Sequence, residues 1–235
     1  MNIIDLAIIA ILALGFGLGW YKGFLVTALN LGSYVVSWVA ALAGYKALAS
    51  FILEKTNLDN TLLYLTAGVE KLSDMTVANV DVAQLGEERV VSIIQSSDLP
   101  KPIESMMTSN ILNRVFEGQG ITTLSDYFNQ TIINLSMSLI SFLIIFLAVK
   151  IISMFVIGLI DHVVDLPVLK QFDKIIGGAA GVLQAVFIVA VIFAVVPIAM
   201  SVLPIENFNN LIQGSLLGRL FFNNNIIFGV LKSVL

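Results

Sequence analysis

Four long apolar segments constrain this chain more than any other feature of its sequence. They run approximately over Ile3–Tyr21, Phe24–Leu53, Thr131–Ile160 and Ile175–Leu203. About 20 helical residues cross a hydrocarbon core of about 30 Å, so each segment is long enough to span a bilayer. The apolar residues are continuous rather than alternating, which favours helices over a membrane β-barrel. A helix also satisfies its own backbone hydrogen bonds, which lipid does not do.

Composition supports lipid as the solvent for these segments. Of the 235 residues, 58% are hydrophobic and 12% are charged, whereas ordinary soluble domains have about half and about a quarter. The mean hydropathy is +0.96, and a core of 25.4 kDa cannot bury such an apolar surplus. We therefore predict an all-α, polytopic membrane protein with about four transmembrane helices, a helical extramembrane loop and a C-terminal interfacial segment.

The distribution of charge divides the chain into four parts. Residues 1–53 hold two transmembrane helices, residues 54–130 a polar loop, residues 131–203 two more transmembrane helices, and residues 204–235 a short C-terminal part. Eleven acidic and five basic residues lie in the loop. Apolar runs of ten to fourteen residues are too short to span a bilayer. We therefore predict two interfacial C-terminal helices, broken by Asn223–Asn225, with a fifth short span as the alternative.

The polar loop also carries apolar residues at helical spacing, in three runs that need a surface to cover. We predict a helical subdomain that rests on the membrane, with a partner-binding groove as the alternative. The three runs are Leu62, Leu63, Leu65, Val69 and Leu72; Val82, Leu85, Val90, Val91 and Ile94; and Ile103, Met106, Met107, Ile111, Leu112 and Val115.

Basic residues in the short connections predict the orientation. Lys22 lies in the first connection, and Lys170 and Lys174 lie in the third. With four spans, both connections are on one side, which we predict to be cytoplasmic. Both termini and the 54–130 loop then face outward.

Small residues recur every four positions in three of the four spans, which places them on one face of each helix. Such faces allow two helix backbones to approach closely. We predict packing within one chain, with packing between copies in a homo-oligomer as the alternative. The positions are Gly15, Gly19 and Gly23, then Ser33, Ser37 and Ala41, and finally Gly177, Gly181 and Ala185.

Two lysines, Lys46 and Lys150, interrupt apolar segments. A lysine at the centre of a bilayer costs about 3 kcal/mol on insertion scales. Each could lie near a helix end and extend its ammonium group to water. Alternatively, both could belong to a polar pathway across the bundle.

Few polar residues suggest chemistry. Asp161, His162 and Asp165 could ligate a metal, but without cysteine or a second histidine a solvated loop is the favoured interpretation. Asp173 precedes the fourth span, where we expect it to cap that helix. No paired nucleophile and base is recognisable, so we expect no enzymatic activity, metal or cofactor. The net charge of −4 argues against nucleic acid.

Several of these residues together resemble a known family. Asp5 opens the first span, and Gly15, Gly19 and Lys22-Gly23 close it. Leu166-Pro167 leads into the most specific element, Asp173-x-x-x-Gly177-x-x-x-Gly181, and Gly214-Ser215-Leu216-Leu217 follows the fourth span. This pattern is similar to the colicin V production protein (CvpA) family of bacterial inner-membrane proteins. The 54–130 loop is longer than the corresponding connection in many members.

The resemblance implies a role in producing a secreted peptide toxin and in envelope physiology, without catalytic residues. We therefore expect a non-enzymatic accessory or scaffold protein for secretion or envelope homeostasis. The alternative is a small oligomeric channel or transporter for ions or small solutes. Its support from the sequence is a set of polar or helix-bending residues in the spans, namely Asn30, Lys46, Lys150, Gln184 and Pro197.

Overall fold

The computed structural model describes residues 2–56, 78–97, 99–161, 170–202, 206–227 and 229. Within these ranges the chain is helical, apart from turns and a single β-bridge between Asp81 and Thr123. The helices are α1 (Ile3–Lys22), α2 (Phe24–Lys55), α3 (Glu87–Ser96), α4 (Lys101–Leu112), α5 (Leu124–Asp161), α6 (Lys170–Val202), α7 (Glu206–Gln213) and α8 (Leu216–Asn223), with a 3₁₀ turn at Val82–Gln84.

The predicted all-α membrane class is confirmed. Four helices in the described ranges (α1, α2, α5 and α6) are long and apolar enough to cross a membrane. Their outer surfaces carry exposed large apolar side chains along much of their length, for example Leu14, Val39, Phe155 and Ile175. Lipid is the solvent that such surfaces require.

The four long helices pack in the order α1, α6, α2, α5. Helices α1 and α6 are antiparallel. Helix α2 runs in the same direction as α6, because Phe24 contacts Asp173 and Tyr34, further along α2, packs on Phe187, further along α6. Helices α2 and α5 are antiparallel, with Ser33 level with Lys150.

These directions give the bundle two distinct ends. At the Gly23 end, α1 and α5 finish while α2 and α6 begin. At the opposite Asp5 end lie the N-terminus, the end of α2, the start of α5 and helices α7 and α8. Both termini of the bundle and the extramembrane helices are therefore at the Asp5 end, as four spans require.

The first half of α5 packs both on the extramembrane subdomain and on α2. Ile132, Leu135 and Leu139 are almost fully buried in one hydrophobic cluster with residues of α3 and α4. Exposed large apolar side chains of α5 begin at Ile140 and continue to Leu159. The lipid-facing surface is thus shorter than the predicted span of residues 131–160. The reason is that 38 residues extend for about 57 Å, well beyond a single hydrocarbon core.

Helices α3 and α4 form this subdomain together with the start of α5. Two of the predicted apolar runs cover its core, where the most buried side chains are Val90, Ile94, Ile103, Met106, Met107 and Ile111. The first predicted run, residues 62–72, lies outside the described residues.

The C-terminal part is interrupted at Gly214-Ser215 and again at Asn224-Asn225. Helices α7 and α8 have 8 residues each, and Gly214-Ser215 separates them. Ser215 caps α8 by accepting a hydrogen bond from the N–H of Gly218 at 2.8 Å. Asn224 ends α8, and the chain is helical again at Ile226 and Ile227, where the side chain of Asn225 accepts a hydrogen bond from the N–H of Ile227 at 3.0 Å. The asparagine run therefore lies between two helical stretches. In the described ranges, the candidate spans number four, with no fifth at the C-terminus.

Candidate functional site

The glycine faces of α1 and α6 lie against each other. A Cβ atom at Gly19 would overlap the carbonyl oxygen of Gly177, and one at Gly181 would overlap that of Gly15. Ala185 continues the contact, because its Cβ lies 2.6 Å from the position that a Cβ at Gly15 would occupy. Both backbones approach so closely that only glycine fits at the crossing. These residues therefore pack within one chain.

Gly23 connects α1 directly to α2. Its φ of +80° is a conformation that favours glycine. Its N–H donates a hydrogen bond to the carbonyl oxygen of Gly19 at 3.0 Å, which completes the last turn of α1. Thr27 then donates its hydroxyl to the carbonyl oxygen of Gly23 at 2.6 Å. One residue thus ends one transmembrane helix and begins the next.

Asp173 caps α2, whereas the sequence suggested that it would cap its own helix. Helix α6 begins at Lys170, so Asp173 is inside its first turn. Its Oδ1 accepts a hydrogen bond from the N–H of Phe24 at 2.9 Å. Its Oδ2 lies where a Cβ of Gly23 would be. The carboxylate therefore lies at the N-terminus of α2 and in the first turn of α6. The positive ends of both helix dipoles favour its negative charge, and we call this contact around Gly23 the Gly23 junction.

A second junction forms around Asp5, which is buried near the start of α1. Asp5 Oδ1 accepts hydrogen bonds from the Ser215 hydroxyl at 2.6 Å and from the N–H of Leu217 at 3.0 Å. Asp5 Oδ2 accepts from the N–H of Asn2 at 3.2 Å. The Asn2 side chain donates to the carbonyl oxygen of Leu211. Asp5 therefore joins the N-terminus of α1 to the N-terminus of α8.

Lys150 is buried inside the bundle, with 8% of its surface exposed. Its ammonium donates to the Ser33 hydroxyl and, at 3.3 Å, to the carbonyl oxygen of Asn30. It also lies 3.8 Å from the centre of the Tyr34 ring, a cation–π contact. Ser33 is about 14 Å from Phe24 along α2, so the ammonium is well inside the bundle. The prediction that Lys150 reaches water from a helix end is wrong.

Lys46 has a different environment. It is exposed and lies about 33 Å from Phe24 along α2, beyond the thickness of a hydrocarbon core. It lines a groove of about 240 Å³ between α2 and α5, with Ser50, Asn134 and Ser138. Lys46 is about 20 Å along α2 from Ser33, the contact of Lys150, so the two lysines share no site.

The small residues of α2 are on its buried face. Ser33 and Ser37 are buried, and the Ser37 hydroxyl donates to the carbonyl oxygen of Ser33 at 2.7 Å. Ala41 is fully buried. Gln184 of α6 donates to the carbonyl oxygen of Thr27 at 2.7 Å, so polar bonds reinforce this interface.

The remaining predicted residues carry no described site. Asp161 is the last residue of α5, and His162 and Asp165 lie outside the described residues. Pro197 lies within α6, which continues to Val202.

The sequence did not predict that Asp5 and Asp173 each accept a hydrogen bond from a backbone N–H that is distant in the chain. Asp5 and Ser215 were both recognised as family-like, but their contact joins positions that are 210 residues apart. One signal could have indicated these contacts. Each family-like acid has a family-like glycine or serine segment elsewhere in the chain, so the two could have been predicted to meet. On this basis Asp173 would have been paired with Gly23, because both lie at ends of spans.

Comparison with known proteins identifies the family. The family model described as Colicin V production protein matches residues 4–72 and 111–226. The match includes Asp5, Gly23, Asp173 and Ser215, which build the two junctions. Residues 73–110, which contain α3 and most of α4, lie between the matched parts. No curated protein and no solved structure matches the chain.

The match extends over well more than half of the 235 residues, and the four long apolar helices agree with it. This chain is a multi-pass membrane protein that belongs to the colicin V production protein family.

Proposed function

We propose that this protein is a non-enzymatic scaffold of the bacterial inner membrane, which assists production or secretion of a peptide toxin and envelope homeostasis. In this role the four-helix bundle is a rigid base, and the subdomain at the Asp5 end presents a surface to envelope proteins. No cofactor or metal takes part.

One observation carries this proposal: the acids that resemble family residues hold helix ends together. Asp5 accepts hydrogen bonds from Ser215, Leu217 and Asn2, and Asp173 accepts one from Phe24. A catalytic acid needs an oxygen that is free to meet substrate, whereas both carboxylate oxygens of Asp5 already accept hydrogen bonds. Side chains committed to capping instead support a fixed architecture, which is what a scaffold requires.

The orientation is part of the proposal. Lys22 and Lys174 both lie at the Gly23 end, which we place in the cytoplasm by the positive-inside rule. The subdomain then faces outward. A Ser96→Cys variant should react with an impermeant thiol reagent once the outer membrane is made permeable, and a Lys22→Cys variant should not. The reverse labelling pattern would invert the orientation.

In-cell photo-crosslinking tests the scaffold role. A photoreactive residue at the exposed Ser92 or Gln95 of α3 should capture envelope proteins in a toxin-producing strain. The same residue at Phe155, which is 73% exposed on the lipid-facing surface of α5, is the control. Loss of the protein should also lower the amount of secreted toxin. Capture of no envelope protein from either α3 position, with normal secretion in the deletion strain, would contradict the proposal.

A second candidate, a small channel or transporter, is favoured by the buried Lys150. Ionisable residues inside a membrane commonly mark ion or substrate pathways. Within the described residues, no carboxylate forms a salt bridge with this ammonium. Proteoliposomes containing the wild-type protein should then pass ions or small solutes, and Lys150→Leu should abolish that flux. Lys46→Leu, which removes the exposed lysine, is the matched control. An absence of flux in the wild type would eliminate this candidate.

A further inference from the structure

A cavity of about 370 Å³ lies in the extramembrane subdomain at the Asp5 end. It is bordered by the 3₁₀ turn, the first turn of α3, the end of α4 and the segment that leads into α5. Its apolar wall includes Leu85, Val90 and Ile111. Binding sites for small ligands and peptide side chains commonly have this size, a largely apolar lining and a few convergent polar groups.

The polar groups of this cavity are mainly acidic. Asp81, Glu87 and Glu117 line it, against a single basic residue, Arg114. Arg114 pairs with Glu117 at 3.3 Å, and both side chains are mostly exposed. Asp81 accepts a hydrogen bond from the N–H of Ala83 at 2.8 Å. The net charge around the cavity therefore favours a cationic occupant.

Tyr127 adds an observation that does not depend on charge. Its side chain lines the cavity and is 2% exposed, and its ring packs on Phe116 with 5.4 Å between ring centres. Its hydroxyl makes no hydrogen bond to any residue that the structure describes. The hydroxyl oxygen is not one of the fully buried polar atoms that lack a partner, so it keeps some exposed surface and is available to an occupant of the cavity.

The strand-like segment beside the cavity has an unpaired edge. Val82 donates its N–H to the carbonyl oxygen of Thr122 at 2.9 Å, and Leu124 donates to that of Val80 at 3.3 Å. Because these bonds use residues 122 and 124, the N–H and C=O of Ile121 point to the opposite side. In the described part of the chain, the Ile121 N–H has no hydrogen bond. Such edges bind extended peptides by adding a strand.

We propose that this cavity binds an extended peptide segment that carries a basic residue next to apolar ones. The peptide backbone pairs with the edge at Ile121. Its basic side chain lies among the carboxylates and contacts the Tyr127 hydroxyl, and its apolar neighbour covers Val90 and Ile111. The proposal rests on the scaffold function, because it names the kind of polypeptide that the subdomain would hold. Asp81 and helix α3 are outside the family match, whereas Glu117 and Tyr127 are inside it. The complete site therefore needs the part of the subdomain that lies between the two matched ranges.

Binding of a defined peptide to the full-length protein tests the proposal. The protein is placed in nanodiscs of uncharged phosphatidylcholine, and a fluorescent heptapeptide of alternating lysine and valine is titrated by anisotropy. Empty nanodiscs correct for lipid binding. We expect saturable binding that weakens with salt, since exposed charges are screened. The same peptide with glutamate in place of lysine should not bind.

Glu87 and Glu88 provide a matched pair of variants. They are adjacent in the first turn of α3, but only Glu87 lines the cavity. Glu87→Gln should weaken the peptide roughly threefold to tenfold, as expected for one partly solvated charge pair, and Glu88→Gln should leave it unchanged. Tyr127→Phe keeps the ring contact with Phe116 and should weaken binding by a similar factor.

Three outcomes would overturn the proposal. The first is equal affinity of the Glu87→Gln and Glu88→Gln proteins. The second is undiminished binding of a peptide N-methylated at alternate residues, which cannot pair with a strand edge. The third is binding of free Nα-acetyl-lysine amide as tightly as the peptide, which would indicate a site for a small cation. If Glu87→Gln still captures envelope proteins from α3 in cells, the scaffold function stands even when this inference fails.

Discussion

The crossing of α1 and α6 makes a quantitative prediction for Gly19→Ala. The added Cβ would lie 2.9 Å from the carbonyl carbon of Gly177 and 3.0 Å from Cα of Gly181. Carbon atoms in ordinary contact are about 3.5 to 4.0 Å apart. Since both neighbours are backbone atoms, no side chain can rotate away. The carbonyl oxygen of Gly177 would be closer still, so the helices must separate by about 1 Å at the crossing.

The expected loss of stability follows from this separation. Overpacking of a close contact typically costs about 1 to 3 kcal/mol, because a gap of this size forfeits a quarter to a half of the dispersion energy of the atoms involved. Alanine is also a better helix former than glycine by about 1 kcal/mol. Gly17→Ala has that gain without the clash, since a Cβ at Gly17 meets nothing within 4 Å. The two variants should therefore differ by about 1 to 3 kcal/mol.

Unfolding of the purified protein in mixed micelles measures this difference. Sodium dodecyl sulfate is titrated into a mild detergent, and helicity and tryptophan fluorescence report unfolding of each variant. Gly19→Ala should unfold at a lower fraction of the denaturing detergent than the wild type, and Gly17→Ala at an equal or higher fraction. Equal unfolding free energies for the two variants would refute the close packing of α1 on α6.

The other predictions use the same unfolding measurement. Asp5→Ala and Ser215→Ala should each destabilise the protein. The double variant should be hardly less stable than either single variant, because both substitutions remove the same contact. Additive losses of stability would contradict a direct contact between the two side chains. Asp173→Ala should lose about 1 kcal/mol as an N-cap of α2, whereas Asp173→Asn should retain most of that stability by keeping an acceptor oxygen, and equal losses would argue against capping. Lys150→Met should leave the unfolding free energy unchanged or raise it, because a buried charge without an acidic partner is replaced by an apolar chain of similar length. A large loss of stability would show that the contacts of the Lys150 ammonium stabilise the bundle.

Sequence patterns were sufficient where a property depends on neighbouring residues. The apolar runs predicted the four membrane helices, and the spacing of Val90 and Ile94 predicted the buried face of α3. The four-residue repeats in Gly15–Gly23 and Gly177–Ala185 indicated faces for close packing. Each of these patterns repeats within one or two helical turns, so it can be recognised without knowing what the helix contacts.

The candidate site depended on contacts that local patterns do not contain. The acidic cavity lies between the Asp81 turn, α3 and the segment before α5, which are distant in sequence. Its acids were visible only as a negative balance over residues 54–130. The unpaired edge at Ile121 depends on the pairing of Val82 with Thr122. No repeating pattern in the sequence predicted that pairing.

By itself, the sequence determined that this chain is a helical membrane protein with close-packed small-residue faces, because length and apolar periodicity are local properties of each segment. Only the tertiary structure decided that Asp173 caps α2 across 149 positions, that Lys150 is buried against Ser33, and that the first half of α5 packs on α3 and α4 as well as on α2. The physical reason is that a hydrogen-bond donor or an apolar surface has the same sequence signature whichever partner it meets. Which partner satisfies it depends on how the helices are arranged.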